Sequence, residues 1–263
     1  MGIGLAVARA LAREGWAVVV AARSRSALRR ARESLPGSGH GAVHLDVGSN
    51  AQWSIAVDQI IAGGELHGLV CAAGILGPIG ALDELDPAEV ESTIRTNLIG
   101  TLLALHHTLP LLRASGGRAV TFSGGGGTAP LARYDAYAAS KAGVVRLTEN
   151  VAASGDIEIN SVAPGFVVTR MHTETLAAGP GAAGAAYHRR TQEQVDAGGV
   201  SASEAAALVS FLLSSDAAGI SGKLLSAQWD PWRDNAFRAK LRQRPDLATL
   251  RRIDEVFFDR VTQ

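Results

Sequence analysis

Two hydrophobic rhythms alternate along this chain. Leu5, Ala8, Leu11 and Ala12 recur at helical spacing, Gly15 stops that run, and a continuous β-branched stretch, Trp16 to Ala22, follows. The stretch reads as a strand buried on both faces. The pattern repeats with a helix from Ser26 to Leu35, stopped by Pro36-Gly37, and a strand from Gly41 to Val47. A helix opened by Ser49 or Asn50 runs to Ile61, and a third strand, Leu66 to Ala73, ends at Gly74. This alternation predicts a parallel sheet with helices on both faces.

The second half continues the theme. Asp86-Pro87-Ala88-Glu89 combines a capping aspartate, proline at the first helical position and a glutamate at the third, and opens a helix expected to reach about Leu112. Arg118 to Phe122 reads as a strand, Ser123 to Thr128 as a Gly-rich loop, and Ala138 to Ala153 as a helix. Ile157 to Val162 is a further strand, ended by Pro164-Gly165. Arg170 to Gly199 is rich in Ala, Gly and Pro and reads as a loop with a helical turn or two, of the kind that serves as a substrate lid. Ser201 to Glu204 is a second capping box, for a helix to about Ser214. Gly222 to Ala227 is the last strand, and the tail, Trp232 to Val261, reads as two amphipathic helices separated near Pro245-Asp246.

Composition narrows the picture. The 263 residues are 47% hydrophobic, enough for one large α/β domain spanning 1–263. Lys plus Arg equals Asp plus Glu at 25 each, so no overall basic field argues for nucleic acid. The single cysteine, Cys71, forms no internal disulfide and fits a cytoplasmic location. The apolar run nearest the start is too short to span a membrane. No histidine or carboxylate cluster has metal-ligand spacing, so no catalytic metal is expected.

Candidate chemistry centres on Tyr137-Ala138-Ala139-Ser140-Lys141. Tyrosine and lysine four apart share one helical face. The ammonium is expected to favour the phenolate and lower the tyrosine pKa from roughly 10, fitting it for proton exchange with a carbonyl oxygen. In open parallel sheets ligands bind beyond the carboxyl ends of the strands. Gly2-Ile3-Gly4, Arg23, Asp46, Cys71 to Gly74, Ser123 and Pro164-Gly165 all lie at such ends.

On these residues the chain resembles the short-chain dehydrogenase/reductase family over about Met1 to Ala227. The resemblance implies a Rossmann-like, doubly wound, three-layer α/β/α fold and a catalytic Tyr137–Lys141 pair, with Lys141 also holding the nicotinamide ribose. It implies that Asn97 supports a proton-relay water and that Asp46-Val47 meets the adenine. It also implies that Ala73-Gly74 ends the cofactor-side turn, that Pro164-Gly165 flanks the nicotinamide and that Thr169 contacts the nicotinamide carboxamide or the phosphates. Arg23 follows the position where an acid would hold a ribose 2′-hydroxyl, so NADP(H) is favoured over NAD(H). Dimers or tetramers through the helices at Asp86 to Leu112 and Tyr137 to Ala153 are implied as well. The partner is then a small-molecule substrate, with neither nucleic acid nor membrane.

Three departures matter. The family opens with a strand and T-G-x-x-x-G-x-G, of which Gly2-Ile3-Gly4 alone is present here. The absent strand belongs between Trp16 to Ala22 and Leu66 to Ala73, and its loss is expected to bare two apolar edges. A start clipped upstream is the preferred explanation. The family's serine position is Gly124, leaving Ser123, one residue earlier, as the candidate for orienting a substrate carbonyl. Cys71-Ala72 replaces two asparagines. The rival reading is a non-catalytic binding or scaffold protein with a degraded cofactor loop.

Overall fold

The computed structural model describes residues 2–251. The first half comprises α1 (Ile3–Arg13), β1 (Val19–Ala22), α2 (Arg25–Glu33), β2 (Gly41–His44), α3 (Asn50–Ile61) and β3 (Gly68–Cys71). Then come α4 (Pro87–Ile94), α5 (Gly100–Ser115), β4 (Arg118–Phe122), α6 (Asp135–Ala153) and β5 (Glu158–Ala163). The chain continues through α7 (Arg170–Ala183), α8 (Ala185–Asp196), α9 (Ala202–Leu213), β6 (Leu224–Ser226) and α10 (Asn235–Gln243). The fold is Rossmann-like: every pairing is parallel, and helices cover both faces.

Local chemistry places the elements. Ser24, Ser49, Asp86, Ser201 and Asp234 each accept a backbone N–H from the first turn of the helix they precede. Glu204 leaves the second capping box unclosed and pairs instead with Arg233. α1 and α9 lie together on one face, with Val7, Leu11, Leu208 and Leu212 packed against Val120 and Val162 of the sheet. α3 and α5 cover the other face, where Trp53, Ala56 and Ala104 meet Val43 and Leu45.

The sheet comes in two pieces. β1 pairs only with β2, and β3-β4-β5-β6 form the second piece. Burial follows that break: β4 and β5 are almost wholly buried, whereas β1 alternates between exposed and half-buried and β3 is half-buried throughout. The expected double-sided burial of Trp16 to Ala22 is therefore not found. That strand begins only at Val19, where its ladder with β2 starts, and nothing among the described residues pairs with its second edge.

Two other expectations change. The helix from Asp86 is not one α-helix to Leu112: Arg95–Ile99 form a π-helical turn between α4 and α5. The stretch 170–199 is helical, not loop-like. Thr169 and His172 cap α7, Gly179 (φ 75°) and Pro180 kink it, and Gly184 turns the chain into α8. Alanine-rich composition favours helix once such punctuation is confined to a few positions. Of the two tail helices, α10 is present; most of the second falls outside the described residues. No helix among the described residues is long and apolar enough to cross a membrane.

Candidate active site

The sheet's carboxyl edge gathers the sequence-predicted residues. Tyr137 and Lys141 stand one turn apart on α6. The Lys141 side chain is buried, and its Nζ donates to the carbonyl of Phe122, the last residue of β4, at 3.1 Å. That bond fastens the helix to the strand end and leaves Nζ 5.7 Å from the centroid of the Tyr137 ring. Burial pushes the Lys141 ammonium down to about 8. The expected lowering of the tyrosine is reversed here: burial, then the neighbouring Tyr187, raise Tyr137 to about 12. At this separation the lysine does not offset the loss of water around the phenol.

Asn97 sits in the π-helical turn and is buried. Its Oδ1 accepts from the Ile75 N–H (2.8 Å), and its Nδ2 donates to the Ile75 carbonyl (2.9 Å) and to Ser140 Oγ (3.0 Å). Ser140 Oγ in turn donates to the Tyr137 carbonyl at 2.7 Å. One side chain thus ties the exit of β3 to α6. Gly74 fills the remaining space: a Cβ there would lie 3.4 Å from Asn97 Oδ1 and 3.6 Å from Lys141 Nζ. Ser140 escaped the sequence reading although it lies inside the motif, because the spacing argument weighs only the two ends.

The loop after β4 is shaped by its glycines. A Cβ on Gly124 would stand 2.5 Å from the Tyr137 hydroxyl oxygen. Ser123 Oγ is buried without a hydrogen-bond partner and points at Gly127, where a Cβ would collide with it. The structure therefore brings Gly124, not the Ser123 hydroxyl, against the tyrosine oxygen.

Apolar residues roof this corner. Leu76, Ile79, Leu131, Met171 and Tyr187 pack around Tyr134 and Tyr137, and the Tyr134 and Tyr187 rings meet edge to face at 5.1 Å. Arg133, at φ 72°, donates to the carbonyls of Gly181 and Ala182 and pins the α7–α8 junction to this loop. His172 and His188 serve the helices: His172 Nδ1 accepts the Thr169 N–H, and His188 lies 3.2 Å from the Leu176 carbonyl.

At the other end of the edge, α1 starts at Gly2 (φ 79°) with no side-chain cap and no acid in its first turn. Such a terminus presents free N–H groups and a positive dipole end to an anion. Gly4 lies close to Ala72: a Cβ would stand 3.1 Å from the Ala72 Cβ. Arg23 is exposed just past β1, and Ala73 is exposed past β3. Asp46 Oδ1 accepts from the Gly48 N–H, shaping the turn in which Val47 packs on Gly100. Gly165 (φ 80°) turns the chain after Pro164, and Thr169 caps α7. Among the described residues no three His, Cys, Asp or Glu side chains are grouped to hold a metal ion.

Comparison with known proteins accords with this geometry. A family model described as enoyl-(acyl carrier protein) reductase matches residues 1–228. Trans-4-hydroxycyclohexanecarboxylate dehydrogenase of Sinomonas cyclohexanicum is 32% identical over 237 residues, covering 86% of each chain. The cis-4-hydroxycyclohexanecarboxylate dehydrogenase of the same organism is 38% identical over 175 residues, 64% of this chain and 70% of that protein. Among solved structures, a variant of actinorhodin polyketide ketoreductase with NADPH superimposes with a TM-score of 0.77 at 28% identity, covering 86% of this chain and 91% of that one. Other matches span as little as 51% of the relative's length. With the parallel α/β frame and a match over most of its length, the chain belongs to the short-chain dehydrogenase/reductase family of oxidoreductases.

Proposed function

We propose that this chain transfers a hydride between NADP(H) and a carbonyl or alcohol carbon, with Tyr137 and Lys141 as the acid/base pair, within one Rossmann-like domain. The observation that carries the reading is the convergence of an uncapped helix N-terminus, a buried lysine and a half-buried tyrosine on one sheet edge. These residues fit a nicotinamide dinucleotide. Gly2, Ile3 and Gly4 would receive the pyrophosphate, Arg23 a 2′-phosphate, Asp46 and Val47 the adenine, and Ala73, Gly74, Pro164, Gly165 and Thr169 the nicotinamide side. The bound nicotinamide supplies or accepts the hydride.

Tyr137 delivers or removes the proton at the substrate oxygen. A phenol held protonated to about 12 is set as the acid, which favours carbonyl reduction near neutral pH. Lys141 places a cation beneath the ring and reaches toward the ribose once its bond to Phe122 is exchanged. Asn97 holds the β3 exit and α6 in register beside them. Ser123 would take part only after its hydroxyl turned out from under Gly127. Residues 170–199 close over Tyr137 as a lid, through Met171 and Tyr187. The names of two relatives make a secondary alcohol on a carbocyclic acid the first substrate class to screen. Assembly into a dimer or tetramer would use the outer faces of α5 and α6, where Leu102 is exposed.

The test is Tyr137→Phe, assayed by NADPH oxidation against a carbonyl panel and by thermal melting. Turnover is expected to fall by ~10²–10⁴-fold with NADPH affinity and melting unchanged. Near-normal turnover sinks the mechanism. Absence of NADPH binding by the parent chain returns the reading to a non-catalytic family member.

A further inference from the structure

The chain has three tyrosines, and all three meet at one corner of the site. Tyr134 and Tyr137 come from the start of α6, and Tyr187 from the first turn of α8. Tyr134 is buried, and its hydroxyl donates to Thr175 Oγ1 at 3.4 Å. Tyr187 is half-buried and sets its ring edge to face against Tyr134. With Tyr137 it shares the apolar roof of Leu76, Ile79, Leu131 and Met171. The two phenols are near enough that charge on Tyr187 disfavours charge on Tyr137.

Two ties hold Tyr187 in that corner. Arg133 donates to the carbonyls of Gly181 (2.9 Å) and Ala182 (3.4 Å), just ahead of α8. His188, the next residue, lies 3.2 Å from the Leu176 carbonyl of α7. Arg190, one turn further along α8, brings a positive charge near the phenol and opposes the upward pull of burial on it. A cation there draws the phenol toward its ionised form and makes it a better hydrogen-bond donor.

Reduction of a carbonyl gathers negative charge on the substrate oxygen, which two preorganised donors hold better than one. Tyr137 is one donor. The other polar side chains around it are engaged or turned away. Ser123 Oγ lies under Gly127, Asn97 Nδ2 donates to Ile75 and Ser140, Lys141 Nζ donates to Phe122, and Tyr134 donates to Thr175. Residue 124 has no room for a side chain, since a Cβ there would stand 2.5 Å from the Tyr137 oxygen. That leaves the Tyr187 hydroxyl, which makes no hydrogen bond to a described residue.

We propose, resting on the reductase reading above, that Tyr187 is a second catalytic residue of this chain. Its hydroxyl donates to the substrate oxygen from the α8 side while Tyr137 donates from the α6 side. As the carbonyl carbon takes the hydride, the oxygen gains the π electron pair and takes the Tyr137 proton; the carbonyl is reduced and NADPH is oxidised. Tyr187 lends a hydrogen bond and keeps its own proton. Residues 170–199 therefore contribute chemistry as well as cover, and only a closed lid carries the full donor set.

The experiment compares Tyr187→Phe with the parent chain and with Tyr137→Phe. NADPH oxidation is followed with cyclohexanone and 2-fluorocyclohexanone, or with another ketone of the panel and its α-fluoro analogue should the parent prefer it. Phenylalanine keeps the ring against Tyr134, so melting and NADPH affinity should hold. Turnover of the plain ketone is expected to fall about 10²-fold, as when one donor to a developing oxyanion is removed, and KM to change less than about threefold. With the fluorinated ketone the loss should be under about tenfold, because fluorine already stabilises charge on the oxygen and less is asked of the second donor. A lid that merely packed over the site would tax both ketones alike. Equal losses on the two ketones, or parent-like turnover in Tyr187→Phe, overturns the proposal. If Tyr137→Phe is inert while Tyr187→Phe is parent-like, the reductase reading stands and the role of Tyr187 alone falls. If the parent reduces no ketone of the panel, both fall together.

Discussion

Gly124 and Tyr137 occupy each other's space: the tyrosine oxygen lies 2.5 Å from where a Cβ on Gly124 would stand. The tyrosine rests in this position because residue 124 has no side chain. Gly124→Ser is expected to displace the phenol, lower stability by about 1–3 kcal/mol as overpacking does, and cut turnover. Ser123→Ala removes a buried hydroxyl that has no partner, so stability should hold or rise slightly and turnover should change less than threefold. Melting curves and initial rates on the two variants check both outcomes. A large rate loss in Ser123→Ala with normal melting would show that the hydroxyl turns into the site during catalysis.

Arg23 should decide the choice between the two nicotinamide cofactors. It is exposed past β1, next to Ala22, where no carboxylate opposes a phosphate. Arg23→Ala is expected to weaken NADPH binding about tenfold or more while leaving NADH nearly unchanged, the loss of one charge-assisted contact. Titrations of both cofactors give the ratio, and an unchanged ratio removes Arg23 from the site.

Lys141 should give stability a signature in alkaline solution. In the folded chain its pKa is lowered from 10.5 to about 8, so folding sheds a proton that the unfolded chain keeps. Stability therefore rises as pH increases above 8, by about 1 kcal/mol between pH 8 and 9. Lys223, also lowered by burial, acts with the same sign. Cys71 and Tyr137 act oppositely. Each is held protonated to about 12, so each withdraws stability once the unfolded chain ionises, from 9.0 and 10.0 respectively. Urea denaturation across this range should show a maximum at roughly pH 9–10, and Lys141→Met should shrink the rise and leave the fall.

The Lys223 ammonium holds down the segment after α10. Its Nζ donates to the carbonyls of Arg244 (2.6 Å), Pro245 (3.1 Å) and Leu247 (3.0 Å), and the Leu224 N–H donates to the Ala248 carbonyl beside it. Lys223→Met should cost about 2–3 kcal/mol, as expected when charge-assisted bonds to carbonyls are lost. It should also admit protease within 244–250, and mass spectrometry of limited digests locates the cuts.

Much of this molecule was legible in the sequence, for reasons that differ by element. Arg118 to Phe122 was read to the residue because a short β-branched run lies between turn formers, and it is buried on both faces. The start of α3 was legible from Ser49, whose hydroxyl does cap it. Residues 170–199 were misread because Gly179, Pro180 and Gly184 look like a loop in sequence, although each marks only a kink or a junction. The upward shift of Tyr137 was hidden because it depends on Tyr187 and the surrounding apolar side chains, brought over it from fifty residues away. Gly124 looked like a lost serine; its contact with Tyr137 appears only once strand and helix are assembled.

The π-helical turn at Arg95–Ile99 acts as a ruler. It holds one residue more than an α-helical path would need, and that surplus sets the angular phase between α4 and everything that follows. Removing a single residue there would relax the backbone into a regular helix and swing Asn97 about 100° around the axis, away from Ile75 and Ser140. The smoother helix would be the poorer part: the strained count of residues keeps one amide aligned with two partners, and a shortened chain would gain local regularity while losing the cross-tie.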